Sequence, residues 1–291
     1  MKKFLIIICA AVLRLQDHKI TRLQVLMILS LMILSLTTGC GSDDKIKIGA
    51  IQYMNLTEET LAEMRGEMVE AKLIPSNYEY VFFSNMSAML AALQAGQIAA
   101  MSTYEGVADY LVLQNQDLEW VPHESGLVDL FCCAMLKENV ALKAEFDAAI
   151  QQMRQDGTLT ALVKTYISAH VQEEASPHIE MPTFYGADTI KIGVTGDLPK
   201  MDYILPDGIP AGFNTAVLAE ISRRIGKNFM LVQVDSGARA AALASGEVDV
   251  IFWSVFPEGT AGLSAGFDRP DNMIFTVPYF SDRIGYVRLK E

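Results

Sequence analysis

Ile190-Lys191-Ile192-Gly193 repeats Ile46-Lys47-Ile48-Gly49, and the repetition does not stop there. Downstream of the first copy stands Ala91-Ala92-Leu93-Gln94-Ala95-Gly96, and downstream of the second stands Ala241-Ala242-Leu243-Ala244-Ser245-Gly246, each run entering an apolar strand. A helix with a small-residue face packs closely on a sheet, and a terminal glycine permits a left-handed exit. Two echoes in the same order predict two related α/β lobes. Generic αβ turns are the other reading of repeats this short.

Strand and helix alternate outward from the first copy. Lys45 to Ile51 is a short apolar run, and Thr57 with the two glutamates after it opens a helix, the acidic residues lying where free N–H groups favour them. Tyr78 to Phe83 is aromatic and β-branched enough for a buried strand. A helix over Asn85 to Ala95, a strand over Ile98 to Met101, a helix over Tyr104 to Leu113 and a strand over Leu127 to Ala134 follow. Such alternation describes a parallel sheet covered on both faces, hence an α/β fold. Between the lobes Leu142, Phe146, Ala149, Ile150 and Met153 recur at helical spacing, and Asp156-Gly157 ends that helix. Leu159, Leu162, Val163, Tyr166 and Ile167 form a second apolar stripe, and Glu173 to Pro182 reads as a surface connection. The stripes need a sheet to cover, and their spacing does not say whose.

Before Lys45 lies a leader. Lys19 and Arg22 precede an apolar run from Leu23 to Leu36 of about 14 residues, which ends in small residues, as a secretory signal does. The formal charge of the chain is -12, and without residues 1–39, which hold five basic residues and one acidic residue, it falls to -16. An acidic exported chain is a poor partner for nucleic acid or an anionic membrane surface. Cys132 and Cys133 are adjacent, and neighbours in a strand point to opposite faces, so they read as buried small hydrophobes with no disulfide framework. His18, His123, His170 and His178 lack metal-ligand spacing, and there is no nucleophile elbow, phosphate loop or dinucleotide fingerprint. No cofactor is expected.

The ending Leu36-Thr37-Thr38-Gly39-Cys40 resembles the bacterial lipoprotein box, with Thr37 where a leucine is usual. That resemblance implies lipidation of Cys40 and a mature protein held at the outer face of the cell membrane. Asp202-Tyr203-Ile204-Leu205-Pro206-Asp207-Gly208, Ala211-Gly212-Phe213-Asn214 with the helix Thr215 to Gly226, Gly246-Glu247-Val248-Asp249-Val250 and Phe275-Thr276-Val277-Pro278-Tyr279-Phe280 resemble the opening lobe of the polar amino-acid receptors of ABC importers. Tyr110 to Leu118 and Asp156-Gly157-Thr158-Leu159 resemble the closing half of the same family. The second-lobe-like part comes first, so the resemblance implies a circularly permuted, two-lobed periplasmic-binding-protein-like fold of the second type; a fragment or tandem array that has lost its remaining halves is the other reading of that order. The expected organisation is a leader over 1–39, a second-lobe-like domain over 45–134, a hinge return with helices and linker over 135–188, a first-lobe-like domain over 189–283 and a hinge strand over 284–291.

The resemblance also implies site residues. Arg269, just before Phe275, stands where the family's arginine grips a ligand carboxylate; a surface arginine beside Asp268 and Asp271 is the alternative. The run from Asp249 to Arg269 is several residues longer than is usual, and such an insert carries the arginine into the cleft or covers its rim. Tyr203 falls where the family lays a ring on the ligand, unless it is hydrophobic cover at a turn. Trp253 and Ser254 end a lobe strand, with plain core as the other reading of Trp253, and Asn214 either faces ligand or caps its helix. In the opposite lobe Tyr104 replaces the family's acidic residue, leaving Glu105 to take over that contact or the ligand without an α-amino group. The family's anion-holding glycine-threonine-threonine stretch is replaced by Gln52 to Thr57, in which Thr57 and its helix amides remain for a carboxylate.

The function this implies is a monomeric solute-binding lipoprotein that captures a small polar or carboxylate-bearing molecule and hands it to an ABC permease. No enzymatic activity is expected of it. The alternatives are a dehydratase-type enzyme on the same scaffold, for which only His123, Glu124 and Glu105 offer acid–base chemistry, and a ligand-sensing module without a transport role.

Overall fold

The computed structural model describes residues 45–168, 179–205, 207–258 and 268–290. The expected leader, Cys40, part of the 173–188 connection and most of the insert before Arg269 lie outside them.

Strand β1 (Ile46–Ile51) lies between two parallel neighbours, β2 (Tyr78–Phe83), paired from Ile46↔Tyr78 to Ile51↔Phe83, and β3 (Ala100–Tyr104), paired at Ile48↔Ala100 and Gly49↔Met101. Helix α1 (Glu58–Glu70) leads to β2 and α2 (Met86–Gln94) to β3. Thr57 caps α1 in a reciprocal box with Thr60, and the Asn85 side-chain Oδ1 accepts from the Ala88 amide to start α2. Asn85 is therefore a cap outside the helix, and β3 begins two residues later than the apolar run suggested. Helix α3 (Glu105–Gln114) and β4 (Leu118–Pro122) complete this lobe, called the first lobe from here on because it comes first along the chain, although it is the second-lobe-like part of the resemblance.

The second lobe repeats the plan. Strand β6 (Thr189–Val194) sits between parallel β10 (Asn228–Gln233) and β11 (Val250–Pro257), with Ile192↔Val250 and Gly193↔Ile251 matching the register of the first lobe. The two sequence echoes occupy equivalent places. A Cβ on Gly49 would stand 2.5 Å from the Ile98 Cδ1, and one on Gly193 2.7 Å from the Ile251 Cδ1, so both glycines are where a neighbour closes on the strand. Gly96 and Gly246 both leave their helices in the left-handed region, at φ 68° and 72°, with amides donating to Leu93 and Leu243. Helix α6 (Phe213–Ile225) packs its apolar face inward and ends at Gly226, also left-handed. A small sheet of β7 (Asp197–Leu198), β8 (Asp202–Ile204) and β9 (Pro210–Ala211) precedes it, and α7 (Arg239–Ala244) follows β10.

Two strands exchange between the lobes. β5 (Val128–Leu136) leaves β4 of the first lobe and pairs antiparallel with β11 and with β12 (Met273–Phe275). β13 (Phe280–Leu289) leaves the second lobe, pairs with β5 at residues 280–283, then enters the first lobe between β3 and β4. The main sheet thus runs β10-β6-β11-β5-β13-β3-β1-β2, and the two crossings lie side by side.

Helix α4 (Val140–Gln155) buries Phe146, Ala149, Ile150 and Met153, four of the five stripe positions. It covers the second lobe: the Phe146 ring stacks on Phe229 of β10 at 5.6 Å, and Arg224 of α6 pairs with Asp156 at 2.6 Å. After Gly157, α5 (Thr158–Leu162) runs into a π-turn over Val163–Ser168, where Ile167 also touches Gly106 of α3. Phe146, Ile150 and Met153, all fully buried, each contribute roughly 1.5–3 kcal/mol. Cys132 and Cys133 are both buried in β5. Among the described residues no helix is long and apolar enough to cross a membrane.

Candidate functional site

The carboxyl ends of parallel strands from both lobes converge on one seam, the place where open α/β sheets present a crevice. Gln52 and Tyr53 follow β1, and Ser102, Thr103 and Tyr104 end β3. Leu198, Arg239 and Trp253 face them from the second lobe, with Asp129 and Ile284 of the crossing strands at the back. The cavity between them holds about 40 Å³ of free space, room for about three waters.

A β-bulge aims Trp253 at this cavity. Phe252 pairs with Cys133 and Ser254 with Cys132, so Trp253 is the extra residue of β11, and its ring stays buried. The Arg239 guanidinium lies 4.7 Å from that ring centroid. All five Arg239 donors are used: Nε to the Ser236 carbonyl, Nη1 to the Trp253 carbonyl and Asp268 Oδ2, Nη2 to the Gln52 carbonyl and Asp268 Oδ1. Asp268 also accepts from the Met54 amide at 2.6 Å and the Val255 amide at 3.3 Å. Burial pushes the Asp268 carboxyl up, and the Arg239 guanidinium beside it pulls it back down.

Gln52 and Met54 belong to the first lobe and Arg239 and Asp268 to the second, so this pair binds the lobes together. Further bonds close the same seam. The Ser236 amide donates to the Ser84 carbonyl at 3.0 Å, the Met86 amide to Asp197 at 2.6 Å, and Lys200 lies 4.0 Å from Asp109. Asp197 thereby holds the amino end of α2 from across the seam, where a carboxylate is favoured.

Asp129 is the other charged group of the cavity. It is 4% exposed and accepts from the Tyr104 hydroxyl at 3.1 Å. Burial pushes its carboxyl up to about 7, with Asp268 and Asp282 adding to the shift and the Tyr104 bond opposing it. Burial and the nearby carboxylates push the Tyr53 and Tyr104 hydroxyls up as well.

Of the residues singled out from the sequence, Tyr104 and Trp253 line the cavity. Arg269 does not; its guanidinium is held between the rings of Phe256 and Phe275, at 4.7 and 4.6 Å. Ser254 is fully buried beside the site and donates to the Asp268 carbonyl at 2.7 Å. Asn214 is buried inside α6, where Gly212 is the cap; it accepts from the Tyr279 hydroxyl, and its Nδ2 has no partner among the described residues. Tyr203 is buried in β8, Thr57 caps α1 at the surface, and Glu105 forms a two-pronged pair with Arg283. His123 Nδ1 is hydrogen-bonded with the Ser125 hydroxyl at 2.7 Å, and burial pushes its imidazole pKa down. Among the described residues no group of three His, Cys, Asp or Glu is placed to hold a metal.

Arg239, Asp268 and Asp129 are the site residues that the sequence reading passed over. Two of them carried a signal. Arg239 opens a helix, where a cation is unfavourable without a carboxylate to neutralise it. Asp129 interrupts the apolar run Leu127 to Ala134, where a lone charge needs a reason.

The family profile of bacterial extracellular solute-binding proteins, family 3, matches residues 190–291. No curated protein sequence matches the chain. Among solved structures, the ligand-binding component of an ABC-type import system from Staphylococcus aureus, with zinc bound, is 13% identical at a TM-score of 0.42, covering 84% of this chain and 66% of that one. The chain thus spans just under two thirds of that protein's length. The methionine-binding protein MetQ is 12% identical at 0.40, covering 86% and 84%, and the effector-binding domain of QuiR in complex with shikimate is 11% identical at 0.39, covering 86% and 89%.

Proposed function

We propose that this chain is a solute receptor that closes two lobes around a small polar molecule and presents the closed form to an ABC permease. The observation that carries this reading is the cavity at the ends of the parallel strands, between lobes joined by two adjacent crossing strands and closed by the Arg239–Asp268 pair. Hinge closure about such strands is a known way for a bound molecule to be reported to a partner. The family profile over residues 190–291 supports the same reading. Bonds across the seam from Arg239, Asp268, Ser236 and Asp197 close the cavity, so capture of a solute requires the lobes to part. Tyr104 and Trp253 then meet the solute from opposite sides, and differential contact in the closed form drives closure.

The further parts of the reading are that Cys40 carries a lipid anchor outside the membrane, that the receptor acts as a monomer, and that its lobes are circularly permuted. Supporting the last, Ile46 of β1 and Leu289 of β13 lie at the same end of the first-lobe sheet with β3 between them, about 10 Å apart. A short linker spans that gap, so a chain reordered to start at residue 189 should fold to the same structure.

Nitroxide labels at Glu63→Cys and Glu247→Cys, exposed positions on the two lobes, test the receptor reading. Open and closed populations are expected in solution without solute, shifting to the closed distance with it. One narrow distance under every condition would overturn the receptor reading.

A further inference from the structure

Resting on the receptor reading, we infer that the captured solute is an organic cation, an amine or quaternary ammonium without a carboxylate, held by Asp129 against the rings of Tyr53, Tyr104 and Trp253.

The charge balance of the cavity carries the inference. Arg239 is the one cationic side chain among the described residues that line it, and all of its donors are occupied, two by Asp268 and three by carbonyls. It has nothing left to offer an anion. Arg269 lies between its two rings outside the cavity, and Arg283 is paired with Glu105. Once Arg239 and Asp268 cancel, Asp129 remains as an uncompensated carboxylate.

No cationic side chain among the described residues comes within ion-pair distance of Asp129, and the Tyr104 hydroxyl is its hydrogen-bond donor. A carboxylate buried with so little support is costly unless a counter-charge arrives. Asp268 and Asp282 deepen the negative potential at the same spot. The walls suit such a counter-charge, because the rings of Tyr53 and Tyr104 line the cavity and aromatic faces attract cations most strongly where water is excluded. A carboxylate in this cavity would face Asp129 with no unpaired cationic side chain among the described lining residues to answer it, and a zwitterion would satisfy Asp129 while leaving its own carboxylate stranded.

Calorimetric titration of the full chain with n-butylamine, tetramethylammonium, butyrate and γ-aminobutyrate decides the matter, repeated on Asp129→Asn and Tyr104→Phe. The amide variant keeps shape and removes a buried charge, so it should fold with an unchanged or higher Tm. We expect the two cations to bind and the anion and zwitterion not to, with at least a tenfold loss of cation affinity in Asp129→Asn and a smaller loss in Tyr104→Phe. Equal binding of butyrate or γ-aminobutyrate, or cation binding untouched in Asp129→Asn, overturns the cation inference and leaves the receptor reading standing. Binding of none of the four also overturns the inference; the nitroxide distances then show whether the receptor reading falls with it.

Discussion

Arg239 and Asp268 face each other as a two-pronged ion pair, Nη1 to Oδ2 at 3.1 Å and Nη2 to Oδ1 at 3.0 Å, with almost no solvent contact on either side chain. Each also reaches across the seam, Arg239 to the Gln52 carbonyl and Asp268 to the Met54 amide. The pair is thus a component of lobe closure as well as of the second lobe's core.

Removing one partner of such a pair leaves a buried charge. Asp268→Ala is expected to destabilise the protein by about 3–5 kcal/mol, whereas Arg239→Met combined with Asp268→Asn, which removes both charges and tolerates the φ of 49° at that position, should recover part of that loss. Denaturant unfolding of the two variants checks the difference.

Stability should fall as pH rises from about 4 to about 7. Asp129 and Asp202 are pushed up to about 7 and Asp282 to about 6, all first by burial, so in this window the folded state holds protons that the unfolded state has released. The groups facing Asp129 are Tyr104, Tyr53, Asp268 and Asp282, and none of them reverses the sign. Its share is up to about 4 kcal/mol. A Tm higher at pH 5.5 than at pH 8, with the drop reduced in Asp129→Asn, is the expected result.

Gly193→Ala should cost about 1–3 kcal/mol, because its Cβ would meet the Ile251 Cδ1 at 2.7 Å while its other neighbours stand at 3.4 Å. Adding Ile251→Val removes the offending methyl. The double variant should be more stable than the glycine substitution alone, as thermal unfolding would show.

Arg269 between Phe256 and Phe275 predicts a stability effect of its own. Arg269→Ala should lower stability by about 1 kcal/mol through loss of the cation–π contacts, and Arg269→Met should retain part of the packing. Equal stability of all three chains in urea would show that the sandwich contributes nothing.

Much of the architecture was legible along the chain. The Ile-Lys-Ile-Gly and Ala-Ala-Leu echoes are local: strand register and helix exit depend on residues a few positions apart, so equal strings at Gly49 and Gly193, or Gly96 and Gly246, give equal geometry. The spacing of Phe146, Ala149, Ile150 and Met153 likewise announced a buried helical face. What that face covers was not legible, because spacing along a helix carries no address; Phe229, on a strand far along the chain, supplies it.

The site was legible only in part. Trp253 reaches the cavity because β11 bulges against Cys132 and Cys133, an irregularity set by its partner strand. The place of Arg269 before Phe275 points it toward the cleft, yet the rings of Phe256 and Phe275 hold it outside the cavity while the adjacent Asp268 turns inward. Asp268 sits at φ 49°, in the left-handed region that aspartate tolerates better than most residues. By itself, then, the sequence determined the two-lobed α/β plan, since short-range periodicity and glycine placement dictate strands, helices and their exits. Only tertiary structure decided which charges meet at the seam, because the pairing of Arg239 with Asp268, and the isolation of Asp129, depend on which segments burial brings together from opposite lobes.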